Sequence, residues 1–539
     1  MHTNWLSDIV EKTNPRKWLS LIALLVASTY GISFLAPVVG GFLDDGIYVA
    51  TAKSIAEGNG YRISGLSPPI VQTKYPFLFP LALAGIWRIF GGFPQNVLAL
   101  KSIPLLFGLL WGWTIHGVFR DRLGNTGAAF LALLTMALPW VVFISSSLLT
   151  ESIFASLTWL ALLWMSRAGR TASHRQVIAI AAVAGAAFLA RSSGIAFAVA
   201  GLALLCTWRR WRSAFLFAAV FALLCSPWIV WQAAHPAPAD PVLAYYSKAN
   251  YAQWNLLANF DVNQKWSILW RNLLRAAYTP AAFMGFPARP IAGLVTLPLV
   301  VMAVFGWWST YKQDFGIIPI WSAVYFVLVM SWAWPSERFL VVLAPLMFYY
   351  IWIGMCLAMP QASRKPLAGV CLAISFTICG IGLYGQARDT LRGGLACLPG
   401  MGLEDWRGFT LMLKEFGARA TTETVLAGNL DPMYSLYSGV NSIRPYSEDP
   451  YLLYFSEEPG RKPLGDLAQF IYTLRSHRVS HLVVDRLKLF QESKYLNLLV
   501  DELRNAHPGS LTLQAQTADG HFRIYSIDWS LLTSSTKRR

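Results

Sequence analysis

Charge is what this sequence has least of. Only 13% of its 539 residues are Asp, Glu, Lys or Arg, while 55% are hydrophobic. An ordinary soluble chain carries about 25% charged residues. A soluble chain of this length buries a large core but still needs a polar surface, and the residues to build one are missing. A bilayer as solvent removes that need. Cysteine is sparse as well. Cys206, Cys225, Cys356, Cys371 and Cys379 lie in apolar runs and Cys397 lies beyond them, with no CxxC pair. That excludes a zinc ribbon or a disulfide framework as the basis of the fold. Repeats and low-complexity tracts are absent too.

What charge there is leans positive, with a formal net of +16. The basic residues are not gathered on one segment, as nucleic-acid binding requires. They sit in short clusters between apolar runs, which is the pattern of a multi-pass membrane protein. Such runs occupy about 18–39, 97–118, 127–147, 149–166, 177–191, 193–208, 213–233, 291–309, 315–333, 338–359 and 366–386. The first follows Lys12, Arg16 and Lys17 and lacks a small-x-small cleavage pattern, so it reads as a retained span. One further run, Phe77 to Phe90, contains Arg88. Apolar stretches of about 10–14 residues are re-entrant or interfacial rather than spanning.

Charge decides the topology. With the N-terminus in the cytoplasm and eleven spans, the inner loops hold Arg120 and Arg122, Arg167, Arg170 and Arg175, Arg209, Arg210 and Arg212, Lys312, and Arg364 and Lys365. Every short basic loop then lies inside. Crossing at 77–90 would invert all later loops. The expectation is an α-helical polytopic membrane protein, with a transmembrane domain over 1–386 and outer loops 40–96 and 234–290. Residues 387–539 read as a small α/β extracytoplasmic domain. Helix-like Glu404–Phe416 and Leu467–His477 alternate there with strand-like Thr424–Ala427 and His481–Asp485. Asp431–Tyr434 and Asn441–Pro445 read as turns.

The first outer loop carries the chemistry. Asp44 and Asp45 directly follow the first span, and Ile47, Ala50, Ser54 and Ile55 recur at helical spacing until Gly58-Asn59-Gly60. Two carboxylates at a helix start read equally as an N-terminal cap. The readings are compatible, because one acid can cap while the other faces a cavity. Lys74 reads either as a phosphate-binding cation or as an interfacial lysine reaching toward head groups. Glu151, at the outer end of its span, is either functional or a carboxylate meeting a helix dipole. Arg338 is either functional or a rim residue paired with Glu337. Arg191 reads as closing a turn between two short helices, and Trp307, Trp308, Trp332 and Trp334 as an interfacial belt.

The acidic pair after the first span, Tyr48, then Lys74 and Pro76 before a run ending in Phe90-Gly91, resembles the GT-C superfamily of membrane glycosyltransferases. Within it, the chain is similar to bacterial protein-mannosyltransferase-like enzymes and to the aminoarabinose transferases that modify lipid A. Leu149-Thr150-Glu151, Arg191 with Gly194, and Glu337-Arg338-Phe339-Leu340 before Pro345 add to the resemblance, which covers about 1–360. It implies a catalytic role for Asp44, with Asp45 at the second acidic position. It implies a donor-phosphate contact for Lys74 and supporting positions for Glu151 and Tyr48. The aminoarabinose transferases carry an arginine three residues after the first acid, where this chain has Ile47. Arg338 or Arg62 is the candidate to supply that contact.

The implied activity is inverting transfer of a sugar from a polyprenyl-phosphate donor to an acceptor hydroxyl on the outer face of a membrane, the bacterial inner membrane being the expected one. A carboxylate orients or deprotonates the hydroxyl, and cations stabilise the leaving phosphate. Phosphate is a good leaving group, so no general acid is required. Cations can do a metal's work here, yet two adjacent acids also suit a divalent ion, so metal dependence stays open. The acceptor is a protein, lipid or glycan hydroxyl. A transporter or flippase of a glycolipid is the second reading, but it favours mid-span charges and inverted repeats, which are not evident. A membrane scaffold would not need Asp44, Asp45 and Lys74 together.

Overall fold

The computed structural model describes residues 15–253, 255–285, 290–401, 403–488 and 490–533. Lys12, used above to orient the chain, lies outside the described residues. The apolar runs form helices. Among the described residues, four are long and apolar enough to cross a membrane: Val97–Met136, Trp211–Ala234, Glu337–Ala358 and Gly369–Gly393. A bent pair, Pro139–Ser146 with Glu151–Thr171, would make a fifth. Leu19–Leu35, Leu78–Phe90, His174–Ala190, Ser192–Thr207 and Ile317–Met330 are shorter apolar helices. Of the eleven spans expected, these four or five meet the length and apolarity of a crossing among the described residues.

One expected span is redrawn. Residues 127–147 are not a single helix. The helix Val97–Met136 turns at Gly124 (φ 71°) and ends before Leu138. Leu138 is extended (φ −68°, ψ 128°), as a residue before proline tends to be, and Pro139 opens a new helix. That helix meets Glu151–Thr171 at 106°. The bend brings the start of the second helix, with Glu151, into the protein interior, where Glu151 is buried.

Elsewhere helices approach backbone to backbone. A Cβ built on Gly306 would lie 1.9 Å from the Tyr350 carbonyl oxygen, and one on Gly354 would lie 2.0 Å from that of Met302. Only glycine permits this crossing between Pro290–Gln313 and Ala344–Ala358.

The loop 40–96 is ordered. It holds the helix Asp44–Ala56, a short antiparallel pair β1 (Arg62–Ile63) and β2 (Ile70–Val71), and the helix Leu78–Phe90. Beyond residue 387 lie β3 (Val425–Ala427), β4 (Asn441–Ile443), β5 (His481–Asp485), β6 (Leu511–Gln516) and β7 (Phe522–Ile527). They form one mixed sheet in the order β4-β3-β5-β7-β6. β3 pairs in parallel with β4 and β5, while β7 pairs antiparallel with β5 and β6. Trp406–Arg419, Leu467–Ser476 and Gln491–Ala506 are its main helices.

Two expected turns are elements. Asp431–Ser438 is a helix, and Asn441–Ile443 is the edge strand β4. The loop 40–96 packs on both. A Cβ on Gly46 would lie 3.0 Å from Pro432, and one on Gly65 2.3 Å from the Ser435 hydroxyl. Leu66 bridges to Ser442 in parallel, and the Ser442 amide donates to the Gly65 carbonyl at 2.8 Å. The loop thereby covers an open sheet edge. It also fixes the sheet against the acidic pair.

Candidate active site

Asp45 builds the turn that presents Asp44. Its carboxylate accepts from the amides of Gly40 (2.7 Å), Phe42 (3.0 Å) and Gly46 (3.0 Å). These bonds hold Leu43 at φ 61°, a left-handed conformation that a branched side chain rarely adopts. Burial pushes the Asp45 carboxyl up to about 6, against the pull of the three amides. Asp45 lines neither cavity described below. The expectation that it backs Asp44 catalytically meets a carboxylate already engaged with backbone.

Asp44 turns the other way. It accepts from the Tyr75 hydroxyl at 2.5 Å and from Arg338 Nη1 at 3.0 Å. Arg338 Nε also donates to Glu151 Oε1 at 2.5 Å, and Arg191 Nη1 reaches the same oxygen at 3.0 Å. Arg191 donates to the Thr150 hydroxyl as well, at 3.2 Å, and Tyr48 lies 3.4 Å from that hydroxyl. Charge-assisted bonds of this kind are about twice as strong as neutral ones. Two carboxylates and two guanidiniums thus form one charge-balanced chain, with Glu151 buried and the other three partly exposed. Burial raises the Asp44 carboxyl, but Arg338, Lys74 and the Tyr75 hydroxyl together hold it below the ordinary range. It stays ionised, with lone pairs to spare for a hydroxyl.

Lys74 is the cation left over. Its backbone amide and that of Tyr75 donate to the Gln72 side chain at 2.8 and 3.2 Å. Trp231 and Gln232, from the helix Trp211–Ala234, clamp the Gln72 and Thr73 carbonyls at 3.0 and 2.8 Å. The ammonium stands over the Tyr245 ring at 3.9 Å. Among the described residues it makes no ion pair or side-chain hydrogen bond. Burial pushes its pKa down to about 8, with Asp44 pulling the other way.

Two cavities meet at Asp44. The smaller, about 350 Å³, is lined by Asp44, Tyr48, Lys74, Tyr75, Arg191 and Arg338, with apolar walls from Leu328 and Val329. The larger, about 700 Å³, runs from Asp44 and Arg338 to Asn429, Arg444 and Glu492 of the sheet-bearing unit. Asp44, Tyr245, Trp334 and Arg338 line both. The structure therefore gathers Asp44, Tyr48, Lys74, Glu151 and Arg338, and leaves Asp45 behind them.

Some readings change. Arg191 does more than close a turn, since it ion-pairs with Glu151 and lines the smaller cavity. Arg62 is exposed on β1 and lines neither cavity, so it offers no phosphate contact. Trp332 and Trp334 face cavities rather than a belt. The acidic pair does not converge on one point, and among the described residues no three His, Cys, Asp or Glu side chains gather as a metal site. Tyr75, Tyr245 and Arg444 were not anticipated. Only Tyr75 had a local signal, lying between Lys74 and Pro76.

Known structures share this fold. A family profile described as dolichyl-phosphate-mannose-protein mannosyltransferase matches residues 74–231. Among curated proteins none matches the sequence. ArnT from Cupriavidus metallidurans, solved bound to undecaprenyl phosphate, is 15% identical. The alignment covers 96% of this chain and 99% of that one, with a TM-score of 0.56. The Archaeoglobus fulgidus oligosaccharyltransferase, tethered with an acceptor peptide containing the NVT sequon, is 11% identical. It covers 95% of this chain and 74% of that one at a TM-score of 0.53. The oligosaccharyltransferase AglB from the same organism, in complex with an inhibitory peptide and a dolichol-phosphate, is 11% identical. It covers 94% of this chain and 74% of that one at 0.52. The chain has the fold of the GT-C membrane glycosyltransferases, the superfamily its acidic pair and Lys74 resemble.

Proposed function

We propose that this protein is an inverting glycosyltransferase that moves a sugar from a polyprenyl-phosphate donor to an acceptor hydroxyl at the outer face of a bacterial inner membrane. The observation that carries the reading is the placement of Asp44 where two cavities meet, one of which holds Lys74 with no anionic partner of its own. The sheet-bearing unit that follows the helix Gly369–Gly393 then stands outside the membrane, packed on the loop that bears the site. The names of the similar structures, which include undecaprenyl phosphate and dolichol-phosphate complexes, support a lipid-phosphate donor.

The donor phosphate occupies the smaller cavity, against Lys74 and Arg338, with its lipid leaving between apolar helices. One Arg338 nitrogen, Nη2, is buried without a partner and is free for a phosphate oxygen. The acceptor hydroxyl enters from the larger cavity and hydrogen-bonds to Asp44. The acceptor oxygen forms its bond to the anomeric carbon as the carbon–phosphate oxygen bond breaks, with its electron pair going to the phosphate. Lys74 and Arg338 stabilise the charge that develops there. The hydroxyl proton passes to Asp44 and then to water. A low-lying carboxyl is a weak base, which suits this order because the proton becomes acidic only as the new bond forms. Tyr75 and Arg338 fix the carboxylate plane, and Glu151 with Arg191 fixes Arg338.

The test is transfer of radiolabelled sugar from purified polyprenyl-phosphate donors to membrane acceptors. Asp44→Asn keeps the volume at a partly exposed position, so it is expected to fold and to lose transfer by about 100-fold or more, the scale of one general base. Transfer within threefold of the parent would remove Asp44 from the reaction.

A further inference from the structure

The far wall of the larger cavity holds charges that the transfer step does not use. Arg444 and Glu492 line it and Glu448 braces Arg444; Arg444, Glu448 and Glu492 are 2%, 5% and 4% exposed. Arg444 donates to Glu448 Oε2 at 3.3 Å and to the Tyr446 hydroxyl at 3.0 Å. Glu492 Oε1 accepts from Tyr454 at 2.7 Å. Three atoms are left over: Arg444 Nε, Glu448 Oε1 and Glu492 Oε2 are buried without a partner. A purely structural ion cluster repays its desolvation only when every such atom is satisfied. Leaving three unmet beside a 700 Å³ cavity is the condition of a binding site awaiting polar groups.

The chemistry of the wall selects the occupant. It offers the Glu492 carboxylate as acceptor and the Arg444 guanidinium as donor, flanked by the rings of Tyr245, Tyr454 and Trp334. A second anion is disfavoured by two carboxylates against one guanidinium. A purely apolar group would leave the unpaired atoms stranded. A neutral ring bearing hydroxyls fits both features, because each hydroxyl donates and accepts while the ring faces lie on aromatics. Its place is also set. Tyr245 is sandwiched, with Lys74 at 3.9 Å from the ring centroid and Arg444 at 3.9 Å. A sugar held by Arg444 is therefore about one ring's breadth from the phosphate-binding cation, but on the acceptor side.

We infer that Arg444 and Glu492, with Glu448 bracing Arg444, form a carbohydrate-binding subsite for a sugar ring of the acceptor, so that the acceptor is itself a glycoside. The inference rests on the glycosyltransferase reading above for the word acceptor, though not for the binding. In the reaction, a hydroxyl of that ring supplies the oxygen attacking the donor's anomeric carbon.

The experiment uses the full chain in detergent and saturation-transfer NMR with a panel of neutral methyl glycosides and disaccharides. Undecaprenyl phosphate binding is measured in parallel. At least one glycoside is expected to bind the parent and to weaken fivefold or more in Glu492→Gln and in Tyr454→Phe, with undecaprenyl phosphate binding unchanged. Glu492→Gln keeps the volume, and Tyr454→Phe perturbs the same carboxylate from its neighbour. No glycoside signal from the parent, or a signal that both variants leave intact, overturns the subsite while the donor reading stands on its lipid binding. Glycoside binding that depends on Glu492, in a protein that binds no lipid phosphate, supports the subsite and removes the transferase reading.

Discussion

Lys74 gives the sharpest quantitative expectation. Its ammonium is buried, rests on Tyr245, and meets no carboxylate at ion-pair distance among the described residues. In the proposed complex it gains a phosphate oxygen. A hydrogen bond to a charged group contributes about 1.5–3 kcal/mol. At about 1.36 kcal/mol per decade, Lys74→Ala should lower kcat/KM for donor by about 10- to 150-fold, with intact folding because no ion pair is broken. The titration adds a second readout. Burial holds the free-protein pKa at about 8. The protonated form binds phosphate, so kcat/KM for donor should fall as pH rises through about 8, since kcat/KM reports groups of the free enzyme. Arginine stays charged across this range, so Lys74→Arg should be slower at neutral pH yet lose the alkaline limb. The assay is initial-rate transfer of radiolabelled sugar from pH 6 to pH 10. An alkaline limb that survives in Lys74→Arg, or a Lys74→Ala variant within threefold of the parent, would refute the reasoning.

Other expectations follow from the same contacts. Glu151→Gln removes the charge that Arg191 and Arg338 share, and breaking a buried ion pair costs about 3–5 kcal/mol. A lowered unfolding midpoint and a fall in kcat exceeding that in donor affinity should appear together. Asp45→Ala strands three amides, those of Gly40 and Gly46 buried, at about 1–3 kcal/mol for each buried one, so the variant should be recovered poorly and as aggregate in size-exclusion chromatography, whereas a catalytic-only residue would leave the elution profile unchanged. Gly65 adopts φ 80°, and a side chain there would meet Ser435. Gly65→Val should loosen the loop from the sheet and speed limited proteolysis between residues 58 and 70, with little change in the helical signal.

How much of this was legible in the sequence depends on distance along the chain. The acidic pair, the helix it opens and Lys74-Tyr75-Pro76 are local patterns, and they stand in the site as motifs. The division of labour between Asp44 and Asp45 is not local, because it hangs on the left-handed Leu43, and nothing in a leucine announces φ 61°. The partnership of Arg338 with Glu151 spans 187 positions and with Asp44 spans 294, so no spacing rule reaches it. In the last third, His481–Asp485 reads as a strand from its own residues and coincides with β5. β6 had a readable period, with Leu511, Leu513 and Ala515 alternating against polar neighbours. β4 had none. Three residues beginning Asn-Ser become a strand only because β3 lies on one side and Gly65–Leu66 on the other.

The arrangement of charge explains why one site needs two unlike cavities. Asp44, Glu151, Arg191 and Arg338 cancel, so they fix geometry without attracting either substrate. Lys74 adds a positive charge on one face of Tyr245, and a phosphate is drawn to that face. Across the ring, Arg444 is outweighed by Glu448 and Glu492, even with Glu448 pushed up to about 7 by burial. That face repels a second phosphate and accepts a neutral polar ring. Tyr245 keeps the two cations from meeting directly, presenting the negative face of its ring to each. Were both faces cationic, the leaving lipid phosphate would have two competing seats, and it would block the acceptor after every turnover. On the proposed reading, a donor side of net positive charge and an acceptor side of net negative charge separate the two ligands before any sugar-specific contact is made. Replacing Tyr245 with leucine would keep the bulk and remove the screen. Product inhibition by undecaprenyl phosphate should then become competitive with acceptor as well as with donor, a pattern that steady-state inhibition kinetics reads directly.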